Sequence, residues 1–280
     1  MKGPFAPYDP NGRRRSPRLR EIPLRLILPN LVTVLAICAG LSGIRLAFEG
    51  RFEIAVAMVL IAAFLDALDG RLARMLKASS SFGAQMDSLA DIMNFGVAPA
   101  LVLYAFALDG AGAVGWTAAL VFAIACCLRL ARFNVMLDDP DRPAWQNDYF
   151  VGVPAPAGAL LVLMPVYLGL IGVPVNQTFS FVAAAFTVAV ALLLVSQLPV
   201  YSGKSSGMRV RRDLVLPLML AIVGYVALLF SYTWTTLALT AAAYFAMLPF
   251  SVRAFTRRAE RADREAQAQT NVTDDSGGAV

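Results

Sequence analysis

Long apolar runs are the feature that most constrains how this chain can fold. Between short polar breaks, the sequence repeatedly runs for about 18–24 residues with few charges, which is the length of a helix that crosses a bilayer. Hydrophobic residues make up 58% of the 280 residues and charged residues only 15%, whereas a soluble domain usually carries about 25% charged residues. The sequence therefore predicts an all-α, polytopic helical membrane protein.

Eight apolar runs each predict one transmembrane helix. They cover residues 31–48, 53–75, 83–108, 113–136, 155–172, 177–198, 213–230 and 233–254. Pro154 and Pro156 are expected to break the fifth helix at its entrance. No soluble domain is inserted, so residues 23–256 are predicted to form one membrane domain. Residues 1–22 are basic and are predicted to be disordered or to lie on the membrane surface, and residues 257–280 are predicted to be a disordered tail.

Positive charges are unevenly distributed between the two ends of these spans. Of the 24 Lys and Arg residues, 22 fall on the side that carries both termini, and only Arg45 and Arg51 fall on the other. The positive-inside rule places the basic side in the cytoplasm. The net charge of +5 then suits anionic lipid headgroups, and we expect no nucleic-acid partner. The predicted location is a cell membrane, expected to be the bacterial inner membrane, with both termini cytoplasmic.

Four aspartates at the junction of the second and third spans carry the strongest functional signal. Asp66 and Asp69 close the second span, while Asp87 and Asp91 open the third. These spacings put each pair on one helical face, and antiparallel neighbouring helices bring the two faces together. Each carboxylate costs on the order of 2.5–3.5 kcal/mol at a helix centre. The chain has no histidine, and ligands that are all oxygen favour Mg²⁺ or Mn²⁺. Two such ions would suit phosphoryl chemistry on a diphosphate.

The same segment resembles the signature of the CDP-alcohol phosphotransferase family. The matching pattern is Asp66-x₂-Asp69-Gly70-x₂-Ala73-Arg74-x₈-Gly83-x₃-Asp87-x₃-Asp91. The resemblance implies transfer of a phosphatidyl or phosphoalcohol group from a CDP-linked donor to an alcohol, with release of CMP, by a homodimer. It also implies that all four aspartates bind two divalent metals and that Asp91 is the general base. The predicted CDP-diacylglycerol-binding residues are Asn30, Thr33, Asp66, Asp69, Gly70, Ala73, Arg74, Ser80 and Gly83.

Three further stretches, at residues 29–33, 129–135 and 150–158, resemble the branch of this family that uses L-serine as the acceptor. Serine brings a carboxylate, which cations at cytoplasmic helix ends could receive. Asparagine side chains could bind its ammonium or carboxylate group. The predicted serine-binding residues are Asn94, Arg129, Arg132, Asn134 and Lys204.

Several alternatives remain open from the sequence. The four aspartates could form a structural network with neighbouring cations, and the arginines could be ordinary positive-inside anchors. The same chemistry could use choline, glycerol phosphate or inositol phosphate, although choline would need an aromatic cage and a phosphorylated acceptor would need more clustered cations. A membrane transporter would spread its acids through the bilayer or break helices at mid-membrane. Here the four acids cluster near one interface.

Overall fold

The computed structural model describes residues 24–76, 80–137, 149–196, 199–201 and 212–248, and most of these are helical. The α-helices are α1 (Leu24–Phe48), α2 (Phe52–Met75), α3 (Ser81–Asp91), α4 (Ala98–Phe106), α5 (Ala113–Leu137), α6 (Ala155–Val162), α7 (Met164–Ile171), α8 (Gln177–Val195), α9 (Arg212–Ser231) and α10 (Thr233–Leu248). A π-helix (Ile92–Val97) joins α3 to α4, and a 3₁₀-helix (Leu108–Ala111) precedes α5.

Each of the eight predicted spans coincides with helix in the described residues. Five stretches are long and apolar enough to cross a membrane, namely Ile27–Phe48, Phe82–Phe106, Ala113–Met136, Gln177–Val195 and Leu214–Ser231. The helix α2 is 24 residues long, but every 18-residue stretch in it carries at least three charged residues. The stretches Ala155–Ile171 and Thr233–Leu248 are apolar but shorter. The helical membrane class is therefore confirmed, while the number of eight spans stays a prediction.

The fifth predicted span begins after a proline, and it is also interrupted near its middle. The helix α6 begins directly after Pro154, as expected, but it ends at Val162, and α7 starts at Met164. Pro165 lies in the first turn of α7, where a missing backbone N–H leaves no helical hydrogen bond unmade. The break therefore lies near the middle of the span, deeper than the two entrance prolines indicated.

Small residues let the helices approach one another closely. A Cβ atom at Gly43 of α1 would lie 3.0 Å from the carbonyl oxygen of Ala55 in α2, and one at Gly158 of α6 would lie 2.6 Å from a Leu194 methyl group in α8. Lipid gives no hydrophobic advantage to helix contact, so such close packing supplies much of the association. The helix α9 is different, because none of its apolar span Leu214–Ser231 is buried inside the protein.

A short antiparallel sheet joins two segments that lie between predicted spans. Strand β1 (Tyr149–Val151) pairs with β2 (Pro199–Tyr201), with Phe150 opposite Val200. Gly152 follows β1 with φ of +79°, and a Cβ there would lie 2.7 Å from the Leu194 carbonyl oxygen. The chain leading into α6 is thereby held against the end of α8. Strands of three residues are too short to produce a recognisable alternation of polar and apolar residues.

Candidate active site

Three of the four predicted aspartates converge between α2 and α3. One carboxylate oxygen from each of Asp66, Asp69 and Asp87 lies within 4.8 Å of the others, and Asp69 is only 3% exposed. Among the described residues, one oxygen of Asp66 and both oxygens of Asp69 are buried without a hydrogen-bond partner. Burying unpaired carboxylate oxygens is costly. This three-carboxylate group therefore fits a divalent cation, which prefers oxygen ligands.

Asp91 lies one turn beyond Asp87 at the end of α3 and is not part of the three-carboxylate group. It is half-buried and interacts electrostatically with Asp66 on one side and Arg129 of α5 on the other. The π-helix begins at the next residue, Ile92, and such wide helical turns are frequent at functional sites. Asp91 thus links the carboxylate group to the buried arginine.

A cavity of about 250 Å³ opens beside the carboxylates. Its wall consists of Pro29, Asn30, Thr33, Asp69, Gly70, Ala73, Arg74, Ser80, Gly83, Ala84 and Asp87. Eight of the nine residues predicted to bind CDP-diacylglycerol are among them, and the ninth, Asp66, belongs to the three-carboxylate group. Pro29 and Ala84 were not predicted, although each lies beside a predicted residue in the sequence. The cavity is therefore built by α1, α2 and the beginning of α3.

Two glycines shape this cavity in different ways. A Cβ at Gly83 would lie 2.9 Å from Asn30 Oδ1 and 3.0 Å from Ser80 Oγ, so glycine lets α3 begin against α1. A Cβ at Gly70 would meet nothing within 4 Å. A side chain at position 70 would consequently occupy part of the cavity, whereas a side chain at position 83 would clash with Asn30 and Ser80.

Local hydrogen bonds fix the residues around the cavity. Ser80 caps α3, since its Oγ accepts a hydrogen bond of 3.0 Å from the Gly83 backbone N–H, an arrangement that stabilises a helix start. Arg74 donates from Nε to the Gly70 carbonyl at 3.0 Å. Thr33 donates to the Pro29 carbonyl at 3.1 Å within α1. The Arg74 guanidinium is thus anchored beside Gly70 on the cavity wall.

The two arginines predicted to bind serine are both tied to backbone carbonyls. Arg129 is 7% exposed, donates from Nε to the Val153 carbonyl at 3.0 Å and lies 5.3 Å from the centre of the Phe133 ring. Arg132 donates from Nη1 to the Val195 carbonyl at 2.9 Å. Both bonds connect α5 to the chain on either side of the small sheet. The arginines therefore have a structural role whatever they bind.

The two asparagines predicted to bind serine have different neighbours. Asn134 donates to Ser88 Oγ at 3.1 Å and links α5 to α3. Asn94 is fully buried in the π-helix, where a Cβ at Gly40 would lie 2.5 Å from its Oδ1, and its amide has no hydrogen-bond partner among the described residues. Lys204 lies outside the described residues. Of this predicted set, it is Arg129 that interacts with Asp91.

The helical fold and the aspartate site define a family of integral membrane enzymes. The family described as CDP-alcohol phosphatidyltransferase matches residues 26–196, which is more than half of the chain. The chain belongs to this family. A second description, CDP-alcohol phosphatidyltransferase 2, matches residues 213–249, the region of α9 and α10. Because this is a family of enzymes, membership contradicts the alternative that the chain is a membrane transporter.

Individual relatives carry more specific names. The chain is 40% identical over 243 residues to the CDP-diacylglycerol–serine O-phosphatidyltransferase of Mycobacterium leprae, which covers 84% of this chain and 78% of that protein. It is 35% identical over 138 residues to the Bacillus subtilis protein of the same name, and the match covers 49% of this chain and 74% of that protein. It is 30% identical over 182 residues to the archaetidylserine synthase of Methanothermobacter thermautotrophicus, covering 64% and 71%.

Proposed function

We propose that this enzyme transfers the phosphatidyl group of CDP-diacylglycerol to the hydroxyl group of L-serine, forming phosphatidylserine and CMP. The observation that carries the proposal is the cavity beside the three-carboxylate group, whose wall includes Gly70 and Arg74. The relatives support serine as the acceptor. The bacterial names specify serine, and the archaeal name also specifies a serine product although its lipid differs.

The cavity receives the CDP part of the donor. Its opening at Gly70, where a Cβ would meet nothing within 4 Å, lets a nucleotide approach the α2 backbone. Arg74, anchored by its bond to the Gly70 carbonyl, offers its guanidinium to the diphosphate. The diacyl chains extend between the helices into the bilayer while the cytidine stays on the cytoplasmic side.

The three-carboxylate group and Asp91 hold two divalent cations, Mg²⁺ or Mn²⁺. The buried, unpaired oxygens of Asp66 and Asp69 support this assignment, because a cation would satisfy them. When bound, such ions neutralise the negative charge of a diphosphate.

Asp91 accepts the proton of the serine hydroxyl group, and the serine oxygen forms a bond to the phosphorus that bears diacylglycerol. The bond from that phosphorus to the oxygen of CMP breaks, and CMP leaves with the electron pair. Arg74 stabilises the charge that develops on this leaving group. Arg129, which interacts with Asp91, holds the serine carboxylate so that the hydroxyl points toward the base.

An acceptor panel tests the proposed reaction. Purified protein is supplied with CDP-diacylglycerol and Mg²⁺, and CMP release is measured with serine, choline, glycerol phosphate or inositol phosphate. We expect rapid release with serine and formation of a serine-containing lipid. Faster release with any other acceptor would overturn the assignment of serine, and no release with any acceptor would overturn the reaction.

The site and both termini lie on the cytoplasmic side of a bacterial cell membrane, and the enzyme is a homodimer by its resemblance to the family. The charge asymmetry of the sequence supports the orientation. Reporter fusions at residue 280 and within residues 140–150 should give a cytoplasmic signal, and a fusion near residue 174 should give the opposite signal. The same signal at all three positions would contradict the orientation and the predicted number of spans.

A further inference from the structure

The helix α10 brings an apolar face to the enzyme core from outside the segment that carries the aspartates. Leu237, Ala241 and Leu248 are 4%, 0% and 7% exposed, and their spacing puts them on one helical face. The neighbouring Phe245 ring lies 6.2 Å from the Phe186 ring of α8. Residue 244 falls on the same face as the three buried residues, and there the sequence has a tyrosine.

The Tyr244 hydroxyl group is the unusual feature of this face. The hydroxyl oxygen is buried and has no hydrogen-bond partner among the described residues. Burying a hydroxyl without a partner is unfavourable, so an apolar side chain would suit this face better if packing were its only role. Tyr244 also interacts electrostatically with Arg129 of α5, and it lies on the face of α10 that packs against the core.

Arg129 has hydrogen-bond donors besides its Nε. Its Nε is bonded to the Val153 carbonyl, and its terminal nitrogens make no hydrogen bond that the described residues reveal. Asp91 interacts with the same guanidinium. The buried guanidinium of α5 therefore interacts both with a half-buried base of α3 and with a buried neutral hydroxyl of α10. An acceptor with a hydroxyl at one end and a carboxylate at the other matches this order of groups.

We propose that Tyr244 is a specificity-determining residue, whose hydroxyl group donates a hydrogen bond to the acceptor carboxylate held by Arg129. This inference rests on the proposed function, because it takes serine as the acceptor. The bound carboxylate supplies the partner that the hydroxyl lacks, and α10 thereby becomes part of the acceptor site. An acceptor without a carboxylate gains nothing from Tyr244.

The substitution Tyr244→Phe tests this, because it removes only the hydroxyl group and keeps the ring that packs against the core. We expect the KM for serine to rise about 10-fold or more, because the variant loses a hydrogen bond to a charged group. The KM for CDP-diacylglycerol and the rate with serinol, which lacks the carboxylate, should stay unchanged. The variant Tyr244→Gln, which keeps a neutral donor, should retain more of the preference for serine over serinol.

Tyr225→Phe is the matched control. Tyr225 belongs to α9, and its hydroxyl makes a hydrogen bond of 3.1 Å with Thr240 of α10, so its removal affects α10 through a residue that is not among those acting on Arg129. This control should keep wild-type kinetics with serine. An unchanged serine KM in Tyr244→Phe would overturn the inference, as would an equal loss with serine and serinol or an equal loss in the control. Wild-type protein that does not use serine at all would instead overturn the proposed function.

Discussion

The proposed donor side and the proposed acceptor side of the site are built in different ways. The donor cavity is assembled by three consecutive helices, α1 to α3, and every residue of its wall lies between Pro29 and Asp87. The residues proposed for the acceptor side are Asp91 of α3, Arg129 of α5 and Tyr244 of α10. Under the proposed function, donor chemistry is encoded in a short stretch of sequence, whereas acceptor choice depends on contacts between distant segments. We expect changes on the donor side to abolish catalysis and changes on the acceptor side to alter selectivity.

Removal of divalent metal should have the largest effect, because it affects the donor side as a whole. Without a cation, the buried oxygens of Asp66 and Asp69 repel one another and the incoming diphosphate. CMP release should fall to background after treatment with EDTA and return when excess Mg²⁺ or Mn²⁺ is added. Full activity after exhaustive chelation would contradict a metal site in the three-carboxylate group.

Asp69→Asn should cost at least about 100-fold in kcat, because it weakens the binding of the cation that neutralises the diphosphate, and a loss of this size is typical of removing one electrostatic contribution to the transition state. The protein should still be extracted as a folded species, because the amide replaces a carboxylate of equal size. Asp109→Asn is the control, since Asp109 is an exposed residue that accepts a hydrogen bond from Tyr104 at 3.0 Å outside the cavity. Near-normal turnover by Asp69→Asn would leave the aspartates with a structural role only.

The same contrast explains which parts of the molecule could be predicted from the sequence. Apolar runs located the helices, because bilayer thickness dictates their length. The spacing of the four aspartates predicted that they lie close together, because residues three and four apart share a helical face, and three of them do. The sequence did not reveal that α1 begins at Leu24 or that Asp91 lies outside the three-carboxylate group. Helix starts and side-chain separations depend on packing, which periodicity does not report.

The acceptor side could be predicted only in part. Arg129 and Arg132 stood out as charges at a helix end, but their bonds to the Val153 and Val195 carbonyls join segments far apart in the chain. Tyr244 has no surrounding motif. The one signal for it is a hydroxyl group on an apolar helical face, which is also common in ordinary cores. The π-helix after Asp91 likewise leaves no pattern in a single sequence.

Arg129→Ala should have a smaller effect that is confined to the acceptor. Losing a charge-assisted bond of about 1.5–3 kcal/mol corresponds to a rise of roughly 10- to 150-fold in the KM for serine. The KM for CDP-diacylglycerol should barely change, because the donor cavity lies on other helices. Arg132→Ala removes the bond to the Val195 carbonyl and should lower thermal stability without a comparable change in the serine KM. Equal kinetic effects in both variants would show that the arginines act only as structural anchors.

The smallest expected effects come from substituting two glycines of the donor cavity. They distinguish a glycine that leaves room for the ligand from one that allows two helices to pack. Position 70 is helical and open, so Gly70→Ala should stabilise the protein by about 0.5–1 kcal/mol while raising the KM for CDP-diacylglycerol several-fold. Gly83→Ala forces a Cβ to within 2.9 Å of Asn30 Oδ1 and should lower the melting temperature. The serine KM should stay unchanged in both. The melting temperature and the KM for CDP-diacylglycerol are measured for both variants. Opposite shifts in melting temperature would show that Gly70 makes room for the nucleotide and that Gly83 lets α3 pack against α1. A Gly70→Ala variant with an unchanged donor KM would place the CDP group elsewhere.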